Sequence, residues 1–146
     1  MGCAHEAEPL KPNHKPRSEF FYSDYDKVWR ATQIAVSQYP LKANDMEKGY
    51  LETTTIESGS LFKKSHKRKR SNSAVKYSLK VNLIKGKVQG KTAVKVVIQK
   101  FKHHSTNFFS DKKKLPSDGV EEKTILYRIK RELQIEKLLD EQNSDS

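Results

Sequence analysis

One cysteine, Cys3, is the entire thiol content of this 146-residue chain. A lone thiol excludes an intrachain disulfide and any metal site built on paired thiolates. Nowhere is there a run of about 20 apolar residues, the length a helix needs to span a bilayer. Hydrophobic residues make up only 34% of the sequence, enough for a core if the tails and one loop stay outside it. Acidic residues are also scarce: 18 Asp and Glu stand against 29 Lys and Arg, a formal net charge of +11. That balance favours an anionic neighbour, which can be nucleic acid, an anionic lipid surface or an acidic protein.

What the chain does contain is organised around residues 23–56. Ser23 with Asp26 three residues later predicts a helix start resembling a capping box. Val28, Trp29, Thr32, Ala35, Val36 and Tyr39 recur at spacings of one, three and four, so a helix over 24–39 gathers them on one stripe. Pro40 stops that helix. Leu41 to Ala43 then reads as extended, Asn44 to Gly49 as a turn, and Tyr50 to Ile56 as a strand. Gly49 ends the turn and is predicted to take a positive φ, which only glycine adopts without steric cost.

Residues 1–18 are predicted to form a linker, with Pro9, Pro12 and Pro16 spaced among polar residues. His5 and His14 lie within it, too far apart and too poor in neighbouring ligands for a metal site. The start Met1-Gly2-Cys3 supports three readings. In one it is the remnant of a bacterial lipoprotein processing site, with an initiator Met in place of the leader and Cys3 as the lipidated residue. In another Gly2 is myristoylated and Cys3 palmitoylated, although Glu6 stands where that pattern wants Ser or Thr. The third is an ordinary terminus with an incidental cysteine.

Farther along, Glu19 to Tyr22 reads as a short strand whose Phe20, Phe21 and Tyr22 pack beside the helix stripe. Residues 57–73, ESGSLFKKSHKRKRSNS, read as an exposed basic loop. Its Lys63, Lys64, Lys67, Arg68, Lys69 and Arg70 are either a contact for an anionic partner or solvated charges that maintain solubility. Ala74 to Ile84 alternates apolar and polar residues as a strand with one wet face. A turn over 85–91 leads to a second strand over 92–102. There Val94, Val96 and Ile98 are in phase while Val97 and Phe101 are not, which predicts a bulge or an edge position near Gln99. His103 and His104 point to opposite sides of a strand end and are poor joint ligands. Phe108 and Phe109 either close the end of the core or stay exposed as a docking element. Ser117 or Asp118 caps a final helix over 118–140, with Glu121 and Glu122 in its first turn. Ile125, Leu126, Ile129, Leu133, Leu138 and Leu139 give that helix a broad apolar side. Residues 141–146 read as a disordered tail. The expected fold class is α+β: one domain over 19–140, an antiparallel sheet with an N-terminal and a C-terminal helix on one face.

The run Asp24-Tyr25-Asp26-Lys27-Val28-Trp29, followed by Asn44-Asp45-Met46-Glu47-Lys48-Gly49-Tyr50-Leu51-Glu52-Thr53, resembles the repeated unit of the NlpB/BamC-type outer-membrane lipoproteins, component C of the beta-barrel assembly machinery. The resemblance implies a helix-grip fold, with Trp29 as helix anchor, Asp45 to Gly49 as the turn and Thr124 to Leu133 in the closing helix. It also implies a lipid-anchored protein, carrying palmitate on Cys3, on the periplasmic side of the bacterial outer membrane. Its role there would be protein binding or assembly support beside an envelope protein partner, without cofactor or catalytic residues. This chain has one such unit where the assembly component has two, and its Phe62 to Arg70 insertion lies outside the family pattern. Two other functions remain open from the residues themselves: a basic nucleic-acid-binding module, and a carrier holding a small ligand between sheet and closing helix. For an enzyme the residues offer little, since Asp24, Asp26, Asp45 and Glu47 are explained by helix-start and turn positions.

Overall fold

A computed structural model of the chain describes residues 16–57, 74–105, 113–115 and 117–144. The elements are β1 (Arg17–Phe21), α1 (Tyr25–Ala35), β2 (Leu41–Asp45), β3 (Tyr50–Thr53), β4 (Ile56–Glu57), β5 (Ala74–Val88), β6 (Lys91–Ser105), β7 (Lys113–Leu115) and α2 (Val120–Ser144). All seven strands join one antiparallel sheet in the order β1-β6-β5-β3-β2. β4 continues the β3 flank along β5, and β7 continues the β1 flank along β6.

The spine is the β5–β6 hairpin, paired residue for residue from Ala74 with Ser105 to Val88 with Lys91. Gln89 and Gly90 make its turn with φ of 52° and 79°, the pair of positive values that matches a two-residue hairpin to strand twist. The turn expected over 85–91 is therefore only two residues long, and β5 runs on through Gly86 to Val88. The expected bulge near Gln99 is likewise absent, while the alternative holds: among the described residues β1 pairs β6 only up to Ile98 and β7 only from Lys102, so Gln99 has a strand on the β5 side alone. Val97 and Phe101 stand opposite Asn82 and Ser78 and simply occupy the sheet's other face.

Facing residues of an antiparallel pair share one side of the sheet, so the registers assign every position. Phe21, Leu51, Ile56, Tyr77, Leu79, Val81, Leu83, Val94, Val96 and Ile98 all fall on one side, and all are buried. Val28, Trp29, Ala31, Ala35 and Val36 from α1 and Ile125, Leu126 and Ile129 from α2 join the same cluster, with Leu133 packed against it. Both helices thus cover one face of the sheet, as the α+β reading expects. They brace each other through Arg30 to Glu136 at 2.7 Å and Lys27 to Asp140 at 3.3 Å.

Several boundaries differ from those the sequence suggests. β1 starts at Arg17, two residues inside the expected linker. The N-cap of α1 is Asp24, in extended backbone and without a side-chain capping bond, so Ser23 does not close a capping box. α1 ends at Ala35 because its last bonds tighten, Ser37 N–H donating to Ile34 and Tyr39 N–H to Val36. The expected strand over 50–56 is two strands, and Glu57 belongs to β4 rather than to the loop. At the other end the N-cap of α2 is Gly119, with φ of 78° and its carbonyl accepting the Lys123 amide at 3.1 Å, rather than Ser117 or Asp118; Asp118 Oδ1, one residue earlier, accepts the Val120 amide at 3.1 Å. α2 continues to Ser144, so 141–144 are helical rather than tail. Leu138 and Leu139, read as part of its core side, are 60% and 54% exposed. Their helical phase carries them past the core stripe of Ile125, Ile129 and Leu133.

Candidate interaction surfaces

The register places the attachment of two separate connections at one end of the sheet and directs a third segment toward it. β1 pairs Arg17 with Ile98 and Phe21 with Val94, so β1 starts beside the middle of β6 and residues 1–15 leave it in the direction in which β6 finishes. At that end Glu57 pairs with Lys76, Ala74 with Ser105 and His104 with Lys113. Residues 58–73 and 106–112 therefore attach there, and α2 begins there. The turns at Met46–Gly49 and Gln89–Gly90 mark the opposite end. Cys3, Lys63, Lys64, Lys67, Arg68, Lys69, Arg70, Phe108 and Phe109 themselves lie outside the described residues. Where their segments leave the sheet is a property of strand pairing, which residue spacing does not reveal.

Beside this end, on the helix-covered side, lies a charge cluster. Lys100 follows Val94, Val96 and Ile98 in core-facing phase on β6, and its Nζ sits 2.6 Å from Glu121 Oε2 in the first turn of α2. The other carboxylate oxygen accepts hydrogen bonds from Tyr39 at 2.5 Å and Tyr77 at 3.1 Å. Lys100 Nζ also lies 4.4 Å from the centre of the Tyr77 ring, within cation–π range. Burial, then the hydrogen bond and charge of Glu121, push the Tyr39 phenol well above its ordinary range; burial, then the Glu121 charge and bond, do the same for Tyr77. Next to it Glu122, only 3% exposed, is met by the Ser117 hydroxyl at 2.8 Å. The sequence did carry a signal for this cluster, because a lysine in core-facing phase needs a counter-ion. Its position in the first turn of the final helix explains Glu121 by itself and so conceals its partnership with Lys100.

The sheet face away from the helices is uncovered by other elements among the described residues. Phe20 is 49% and Ile84 53% exposed there, with Lys95, Val97, Tyr50, Lys80 and Phe101 half-buried between them. Lys80 Nζ lies 5.0 Å from the Phe101 ring centre and Lys95 Nζ 5.6 Å from that of Phe20. Tyr50 donates to Glu52 Oε2 at 2.5 Å, with Lys42 3.8 Å from the same carboxylate. That hydrogen bond, ahead of burial, pushes the Tyr50 phenol up to about 12 and holds Glu52 below its usual range, helped by Lys42 and Lys80. Lys80 and Lys95 of this face lie against rings and Lys42 near Glu52, which weakens it as a platform for a polyanion, although Lys76 in the same phase of β5 is exposed.

Leu79, Val81, Ile98, Ile125 and Ile129, each at most 2% exposed, fill the layer between sheet and helices. The space in which a carrier would hold its ligand is occupied by these side chains. An open groove of about 600 Å3 lies outside that layer, between the β1–α1 connection and α2, lined by Phe20, Tyr22, Lys27, Leu133 and Lys137 among others. Among the described residues no group of three or more His, Cys, Asp or Glu is placed to hold a metal ion, and no helix is long and apolar enough to cross a membrane. Comparison of the sequence with protein-family models and with curated proteins finds no match.

Proposed function

We propose that this chain is a non-enzymatic bacterial envelope lipoprotein, anchored through Cys3, with a helix-grip-like domain related to the NlpB/BamC type. Its domain acts as a protein-binding or assembly-accessory module on the periplasmic side of the outer membrane. The observation that carries the reading is the convergence toward one end of the sheet. The segment bearing Cys3 leaves β1 beside the middle of β6 and in the direction of the end at which the segment bearing Lys63 to Arg70 attaches, so a lipid on Cys3 would keep the basic residues within reach of anionic headgroups. Tethering raises local concentration, and contacts too weak to recruit a free protein then suffice to orient it. Each basic residue near such a surface contributes about 1 kcal/mol, fading within a Debye length. Phe108 and Phe109 belong to a connection attached at the same end, where an envelope partner would meet them.

Nucleic-acid binding ranks below this reading, because the open sheet face places Glu52 among its lysines and rings. The test of the anchor is metabolic labelling of the native protein with a palmitate analogue, followed by membrane fractionation. Wild type should carry the label and sediment with membranes, and Cys3→Ser should lose both properties. An unlabelled wild type in the soluble fraction would reject the lipoprotein reading.

A further inference from the structure

We propose that the outer side of α2 pairs with the same surface of a second copy of this chain, the two helices crossing antiparallel at Ile135 and Leu138. The core stripe of α2 uses Ile125, Ile129 and Leu133. On another side of the helix, Arg128, Arg131, Ile135, Leu138 and Gln142 recur at steps of three and four, the spacing of a helix–helix seam. Ile135, Leu138 and Leu139 are 40%, 60% and 54% exposed, and Ile34 of α1 adds a 54% exposed side chain. These residues are contiguous: Ile34, Ile135 and Leu139 line a shallow groove of about 220 Å3 between the helices with Ala31 and the stems of Arg30 and Glu132. Four large apolar side chains exposed together on one helix pair mark an association surface more than chance scatter does.

Charge selects the occupant. The seam is basic toward its start, with Arg128 and Arg131, and α2 ends in Asp140 and Glu141 with no basic residue in its last turn. Carboxylates near a helix C-terminus oppose the macrodipole. A second α2 laid antiparallel, with Ile135 of one copy against Leu138 of the other, puts Arg131 level with Gln142 and within a residue of Glu141 across the two-fold axis, where it offsets the approach of Glu132 to the same Glu141. The same operation brings each basic segment to the other copy's acidic end and opposes the helix dipoles. A parallel pairing would instead set like charges together. A two-fold contact is self-complementary in this sense, so one surface serves both copies.

The apolar patch is small beside the roughly 800 Å2 per partner of a stable interface, so the dimer should be weak and concentration-dependent. Sedimentation velocity of the full chain, under reducing conditions that keep Cys3 from cross-linking, tests this from about 1 to 200 µM, where small interfaces associate. Wild type should move from monomer to dimer across that range. Leu138→Lys with Leu139→Lys should remain monomeric with an unchanged circular dichroism spectrum. Arg131→Glu and Glu141→Arg should each weaken the dimer, and together restore it. A wild type monomeric throughout, a dimer indifferent to the leucine changes, or a charge swap that fails to rescue would each overturn the antiparallel pairing.

Discussion

Tyr39, just past the end of α1, donates its phenolic hydrogen to Glu121 Oε1 at 2.5 Å, and Lys100 holds the opposite oxygen of that carboxylate at 2.6 Å. One side chain at the start of α2 thereby ties together the α1–β2 connection, β5 through Tyr77, and β6. Glu121→Ala leaves the Lys100 ammonium, 10% exposed, without its counter-ion. A loss of about 2–3 kcal/mol is expected, somewhat below that for breaking a fully buried pair. Lys100→Met combined with Glu121→Gln should cost less than Glu121→Ala alone. Urea denaturation of the three variants checks this, and a single-variant loss under about 1 kcal/mol would mean that the cluster contributes no more than a surface pair.

The same cluster sets an alkaline limit. Tyr39 and Tyr77 have folded pKa values raised above the ordinary value of 10.0, and Tyr50 is raised to about 12. A raised folded pKa means that the unfolded chain gives up its proton first. The stability these phenols contribute is therefore complete below pH 10 and lost as pH climbs through their folded values. Tyrosinate absorbance of the native protein should show a late-ionising component, and Tyr39→Phe and Tyr77→Phe should each remove part of it. Titration of all six tyrosines in one step near the free-phenol value would contradict the geometry.

Trp29 is 6% exposed within the cluster joining both helices to the sheet, its ring stacked on Tyr25 at 6.3 Å between centroids. Trp29→Ala should destabilise the domain by about 3–5 kcal/mol. Equilibrium denaturation showing less than about 1 kcal/mol, the size of an ordinary surface change, would remove Trp29 as the anchor of α1.

Gly49 takes φ of +64°, and a Cβ built there would run into the Leu83 carbonyl oxygen. The approach is close because the Leu83 amide donates to the Gly49 carbonyl at 2.8 Å, joining the β2–β3 turn to β5. Gly90 has a similar φ of +79° but nothing within 4 Å of its Cβ position. Gly90→Ala should therefore cost only the backbone term of about 1 kcal/mol, and Gly49→Val clearly more, by adding a collision with backbone. Thermal melts of equal depression for both variants would show that the contact with Leu83 is not what requires glycine.

Much of this fold is legible in the residues. Trp29 and its stripe show through because a period of 3.6 against one apolar face leaves few alternatives, and Gly49 because the turn before it has a single sterically free exit. Val97 and Phe101 mislead in part: apolar residues on both sides of β6 read as a bulge or an edge position, and the register shows the edge position together with a partly apolar outer face. Leu138 and Leu139 mislead similarly, since a long helix can carry a second stripe that spacing alone assigns to the core. The end of the sheet at which residues 58–73 and 106–112 attach, and toward which residues 1–15 lead, is not legible at all. It depends on strand order, and three segments so far apart in sequence have no local signature of neighbourhood.

In the proposed function, the end of the sheet that bears the Lys63 to Arg70 segment, and toward which the Cys3 segment leads, faces an anionic membrane. The most direct test of that orientation is co-flotation with anionic and with neutral liposomes across a salt series. The proteins to compare, both carrying Cys3→Ser so that no lipid anchors them, are the otherwise wild-type chain and a variant with Lys63, Lys64, Lys67, Arg68, Lys69 and Arg70 changed to Ser. The otherwise wild-type chain should float with anionic vesicles at low salt and release as salt rises, while the variant stays behind and neither protein binds neutral vesicles. Equal flotation of both proteins on anionic vesicles at low salt would contradict the account.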